Sequence, residues 1–329
     1  MNATAPERAV SRADIDRWAG TGRINALQRD AALMLVHATP DHAAWHRFLA
    51  QLFLFSGVLF LAAALGYFVA YNWNELGRFA KIALLQLAVA LPATLAFVWD
   101  DGLKRRAALV AAFLATGPLL AYIGQTYQTG ADPWELFAAW AALTLPWMLV
   151  AGWRPAWALW MVILNVGAQL YFAEVWRPAL WVWRESAHLL SLIVLNGAAL
   201  VLFERFANKL EGAGRITERL CILAIVAGAT VLFMMFVFDA QIRQPWNVPV
   251  AALALGSLAW WYRARQLDVV ALGLVCLGGI VCAVCITGKL LSELHFSAGA
   301  FLYSGLVAIG LSAWAGQWLT RLSREKGNL

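Results

Sequence analysis

Residues 48–71 read FLAQLFLFSGVLFLAAALGYFVAY, a run without one charged side chain. A hydrocarbon core about 30 Å thick needs roughly 20 apolar residues per helical crossing, so this segment alone can span a bilayer. Nine similar runs follow, at 80–99, 107–124, 134–151, 155–173, 186–204, 219–238, 248–262, 268–288 and 298–320. With 62% hydrophobic and 13% charged residues, the composition lies far outside that of soluble domains. Lipid hydrates no backbone, so only helices or closed barrels can cross it. These runs lack the polar–apolar alternation of a barrel strand. The sequence therefore predicts an all-α fold, a polytopic transmembrane helix bundle of about ten spans over residues 48–320. A small helical hairpin precedes it at 1–47 and a short tail follows at 321–329. The eighth span is short enough to be tilted or partly re-entrant.

Positive charge orients the bundle. Of the 25 Lys and Arg residues, 19 fall in the tails and the even-numbered connections and six on the opposite side. The positive-inside rule then puts both termini of this multi-pass protein in the cytoplasm. Lys104, Arg105 and Arg106, and the loop from Arg205 to Arg219, read as topology signals facing anionic lipid. No nucleic-acid-binding module is recognisable, so no nucleic-acid partner is expected and the lipid bilayer is. No cleavable signal peptide is expected before the first span, since the polar, Arg-rich tail has no short apolar core with a cleavage site.

Within the tail, Ser11 caps a first helix in which Ile15 and Trp18 share a face, and Gly20, Thr21 and Gly22 end it. A second helix begins at Asn25 and carries Leu27, Leu33, Met34 and Val36 on its apolar side. So small a hairpin buries little surface by itself and should pack on the membrane domain or on another protein. Cys221, Cys276, Cys282 and Cys285 all lie within spans, where thiols act as small packing groups.

Two connections on the predicted outer side are unusually polar. One runs Ala70-Tyr71-Asn72-Trp73-Asn74-Glu75-Leu76, the other Gly124-Gln125-Thr126-Tyr127-Gln128-Thr129-Gly130-Ala131-Asp132-Pro133-Trp134-Glu135-Leu136. At these residues the chain resembles a family of predicted bacterial integral membrane proteins, domain of unknown function 2157. In that family a polar amino-terminal hairpin precedes a first span ending in an Asn-Trp turn, and a later loop reads Gly-Gln-x-Tyr-Gln-x-Gly-Ala-Asp. The resemblance covers residues 11–150 and implies an inner-membrane address. It implies no activity, and the company its members keep with other multi-span proteins implies a complex.

Helix-start chemistry explains part of these loops. Asp132, Pro133 and Glu135 supply an N-cap acceptor, a proline at the first helical position and an acid in the first turn. Asn74 and Glu75 are expected to do the same for the second span. The residues left over motivate one polar pocket on the periplasmic side, built from Asn72, Glu75, Gln125, Tyr127, Gln128, Asp132 and Glu135, with its three carboxylates as acids. Binding or assembly through this pocket is the first functional expectation.

Uncoupled transport of an uncharged or amphipathic solute is the second. Pro92, Pro118 and Pro146 interrupt spans two to four, and Thr116-Gly117-Pro118 could open a helix. No Asp, Glu, Lys or Arg occupies the middle of a span, which disfavours ion-coupled transport. Asn165 and Gln169, one turn apart, are expected to clamp neighbouring helices by hydrogen bonds, and His188 to pack. An integral-membrane enzyme ranks third. His42 and His46 have i, i+4 spacing but lack the glutamate and further ligands of a metal site, so no catalytic residue, metal or cofactor is assigned. Trp176, Trp181 and Trp183 suit an interfacial anchor with Arg177 and Arg184 on phosphates. Glycines inside spans, among them Gly57, Gly66, Gly228, Gly256, Gly278, Gly279, Gly305 and Gly310, are expected where helices approach closely.

Overall fold

A computed structural model describes residues 12–35, 42–71, 75–100, 102–175, 186–211, 215–239, 244–293 and 297–327. The described residues form twelve α-helices and no strand. Helices α1 (Arg12–Gly20) and α2 (Ala26–Leu35) make the amino-terminal hairpin. Ten long helices then match the ten apolar runs: α3 (His42–Tyr71), α4 (Arg78–Val98), α5 (Gly102–Tyr127), α6 (Pro133–Ala151), α7 (Arg154–Leu170), α8 (Ala187–Arg205), α9 (Ile216–Phe238), α10 (Asn247–Ala264), α11 (Val269–Glu293) and α12 (Ser297–Gly327). Among the described residues, eight helices are long and apolar enough to cross a membrane by length and composition.

The hairpin is closed by local chemistry. Asn25 and Gln28 exchange backbone-to-side-chain hydrogen bonds of 2.8 and 2.9 Å, a reciprocal capping box that starts α2. Gly22, with φ 72°, lets the Arg23 N–H reach back to the Trp18 carbonyl. Asp16 and Arg29 pair at 2.7 Å across the hairpin. Ile15 and Leu33 are buried, whereas Leu27 and Met34 are exposed, so the predicted apolar side of α2 narrows to Leu33. Ser11 and Val36 lie outside the described residues.

Two sub-bundles share α7. In the first, α5 packs against α3, α4 and α6, and Phe113, Val110 and Leu109 meet Met148 and Ala156 in its core. In the second, α9 is central and contacts α7, α8, α10 and α11. There Ile222, Ile225 and Ala229 meet Phe203, Tyr262 and Leu272. Trp157 and Trp160 of α7 pack against both cores, which makes this helix the joint between the halves.

The prolines do not open the helices: α4, α5 and α6 run through Pro92, Pro118 and Pro146. Close approach occurs at fewer glycines than expected. Gly228 and Gly278 face neighbouring side chains, while Gly57, Gly66, Gly256, Gly279, Gly305 and Gly310 have open space where a Cβ would lie. The tightest seam is at Gly117, where a Cβ would stand 2.4 Å from the Trp140 ring. That indole donates a 2.7 Å hydrogen bond to the Phe113 carbonyl, locking α6 onto α5.

The predicted polar clamp forms. Asn165 of α7 and Asn196 of α8 exchange side-chain hydrogen bonds of 2.6 and 3.2 Å. One turn on, Gln169 donates to the His188 carbonyl and to Ser191. Each amide thereby finds a partner on the facing helix, where lipid would offer none.

Candidate functional site

The loops singled out by sequence lie at one end of the first sub-bundle. Tyr122, in the last turns of α5, donates a 3.4 Å hydrogen bond to the carbonyl of Arg78, the first residue of α4. The turn bearing Glu75 and the connection bearing Gln125, Tyr127, Gln128, Asp132 and Glu135 therefore share that end. All six of these residues are exposed. Asn72 lies outside the described residues, as does the Trp176–Arg184 segment.

Capping consumes less of this chemistry than the sequence suggests. Asp132 is the N-cap of α6 and Pro133 follows it, yet the Asp132 side chain makes no cap hydrogen bond; only its carbonyl accepts, from the Glu135 N–H. Helix α4 begins at Arg78 with Gly77 as N-cap, so Glu75 sits outside the helix and caps nothing. Among the described residues, neither these two carboxylates nor Glu135 has an ion pair. The acids stay free because backbone carbonyls and a glycine terminate the helices without them.

Gln128 departs from local economy. The Thr129 N–H bonds back to the Gly124 carbonyl at 3.3 Å, the long closure of a Schellman motif, which puts Gln128 at the left-handed position after the helix. Its φ is 46°, and it is the one non-glycine residue with positive φ among the described residues. Glycine or asparagine usually fills this position, and other side chains there cost roughly 1–2 kcal/mol. Nearby, Trp134 packs edge-on against Tyr171 at 4.9 Å, tying the start of α6 to the single π turn, Tyr171–Val175, that ends α7.

The opposite, arginine-rich end holds a lattice of ion pairs that sequence reasoning missed. Glu204, at the end of α8, pairs with Arg215 and accepts a 2.8 Å hydrogen bond from the Tyr262 hydroxyl of α10. Asp268, before α11, pairs with Arg219 at 3.2 Å and also accepts from the Val270 and Ala271 N–H groups. Burial pushes the Asp268 carboxyl up, but the Ala271 N–H, the Arg219 guanidinium and the Val270 N–H outweigh it and hold the group below its ordinary value. Glu218, at the start of α9, is almost completely buried beside Arg154 at 3.4 Å, and Arg106 pairs with Glu211. Arginines expected to face lipid headgroups thus bind helix ends together. The signal was present in the acids Glu204, Glu211 and Glu218 interleaved with those arginines, since topology alone requires no acids.

Residues 16–157 match the family model of DUF2157, described as a predicted membrane protein. The matched segment runs from α1 to the first turn of α7 and includes both polar loops, in agreement with the resemblance read from their motifs. It stops where the second sub-bundle begins. No curated protein and no solved structure matches the chain.

Proposed function

We propose that this multi-pass membrane protein works by binding or assembly at the loop end of its first sub-bundle, on the periplasmic side of a bacterial inner membrane, with both termini cytoplasmic. The arginine imbalance supports the orientation. The observation that carries the reading is Gln128: a strained backbone position holding an exposed amide, next to carboxylates that the helix caps leave free. Strain retained at one position is a mark of functional loops, because stability alone would favour glycine there. Glu75, Asp132 and Glu135 supply negative charge, and Asn72, Gln125, Tyr127 and Gln128 supply orienting donors and acceptors, a set suited to a polar or cationic segment of another multi-span protein.

The test is co-purification after mild solubilisation. A partner retained by the wild type is expected to be lost from a Glu75→Gln, Asp132→Asn, Glu135→Gln variant that remains monodisperse. Retention of the same partner by that variant removes the loop end from the assembly. A cysteine at position 128 should react with an impermeant reagent in intact cells, and reaction only after cell opening would overturn the orientation.

A further inference from the structure

On the arginine-rich half of the bundle, a groove of about 600 Å³ runs along α8, between it and α6 and α7. The volume falls in the ordinary range for small-molecule sites. We propose that this groove holds one acyl chain of an anionic phospholipid, with the phosphate at Lys209.

The groove has the length of one leaflet. Its lining extends from Gly152 and Lys209 at the helix ends to Leu164 and Leu195, each ten residues inside. At 1.5 Å per residue that is about 15 Å, half of a hydrocarbon core about 30 Å thick. The walls open towards the surrounding bilayer, since the lining residues Leu149 and Leu202 are 65% and 56% exposed. A chain can enter sideways without crossing the headgroup layer.

Its polarity is one-ended. Lys209 is the sole charged lining residue and stands at the mouth. Among the described residues it has no ion pair, unlike the arginines of the neighbouring lattice, and its Nζ rests 5.3 Å from the centre of the Phe206 ring. A second groove of about 510 Å³, on the α9 and α10 side of α8, has Glu204 beside Arg205 at the same level. That acid is held by Arg215 and Tyr262, so the second groove has charges of both signs at its mouth, whereas the first has a cation alone, the better match to an anionic headgroup.

The full-length protein in mild detergent, titrated with phosphatidylglycerol or phosphatidylcholine and read by native mass spectrometry, tests this. One phosphatidylglycerol per chain is expected to be retained in preference to phosphatidylcholine. Lys209→Ala should weaken that retention about fivefold, the contribution of one basic residue beside an anionic leaflet. Arg265→Ala, on the same face outside the groove, should leave it unchanged. Ala199→Trp should block the groove, and if it fails to fold, Lys209→Ala on the surface turn remains decisive. Equal retention of the two lipids, an unchanged Lys209→Ala variant, or an equal loss in Arg265→Ala overturns the site. Preferential retention of oleate overturns its assignment to phospholipid.

Discussion

At the scale of single residues, the two ends of the molecule obey opposite economies. Gln128 pays for a left-handed backbone that glycine would adopt freely. Gln128→Gly is therefore expected to stabilise the protein by about 1 kcal/mol, seen as a higher melting temperature in detergent, while weakening co-purification of the partner. A lower melting temperature would mean that the Gln128 side chain supports the loop after all. Asp268 shows the contrary case, a carboxylate placed where N–H groups and Arg219 satisfy it. Its folded-state pKa lies below the unfolded value, so its stabilisation is complete above the ordinary carboxylate range and disappears as pH falls through the folded value. The melting temperature should drop on acidification below about pH 4, and Asp268→Asn should lower it at neutral pH and flatten that acid limb. An unchanged acid limb would assign the loss to other carboxylates. The sequence revealed Asn165 and Gln169 as clamp residues, because an amide inside an apolar run must find a partner. It did not reveal Asp268, because a loop carboxylate in sequence looks like any solvated charge until α9 brings Arg219 to it.

At the scale of helices, apolar runs located all ten long helices but were silent on which faces meet. Glycine illustrates the gap: six of those expected at crossings face open space, while Gly117, read only as part of a helix-opening triplet, lies against Trp140. A glycine's spacing does not tell whether its neighbour is a helix or an acyl chain. Gly117→Ala gains roughly 1 kcal/mol of helix propensity and forces a methyl group into an indole held by its own hydrogen bond. Overpacking costs about 1–3 kcal/mol, and since the ring has little room to yield, the net effect should be a lower melting temperature. Gly256→Ala, with nothing near its added methyl, should leave stability unchanged or raise it. The reverse order would mean that Trp140 swings aside and the α5–α6 seam is soft. The Asn165–Asn196 pair belongs to this scale too. A double-mutant cycle to alanine should give a coupling of about 0.6 kcal/mol, with about 1.7 as the upper end, and zero coupling would show that each amide satisfies itself on its own helix through the Met161 and Leu192 carbonyls.

For the whole molecule, orientation and folding draw on the same arginines at different times. Arg106, Arg154, Arg215 and Arg219 count towards the excess that sets topology, yet in the folded bundle they pair with Glu211, Glu218, Glu204 and Asp268. Acidic residues contribute little to the topology rule, so insertion should read the arginines as free charges and pairing should follow once the helices meet. Neutralising the acids ought then to leave orientation intact while loosening the arginine-rich end. Reporters fused at both termini are expected to register cytoplasm, and one inserted after Gln128 the periplasm, in the wild type and in a Glu204→Gln, Asp268→Asn variant alike. That variant should nonetheless melt at a lower temperature, because the arginines left without partners include groups packed among helix ends, where an unpaired charge is costly. If the reporters reverse in the variant, the ion pairs form during insertion and act on topology. If the melting temperature holds, the lattice is a solvated surface rather than the fastening of the second sub-bundle.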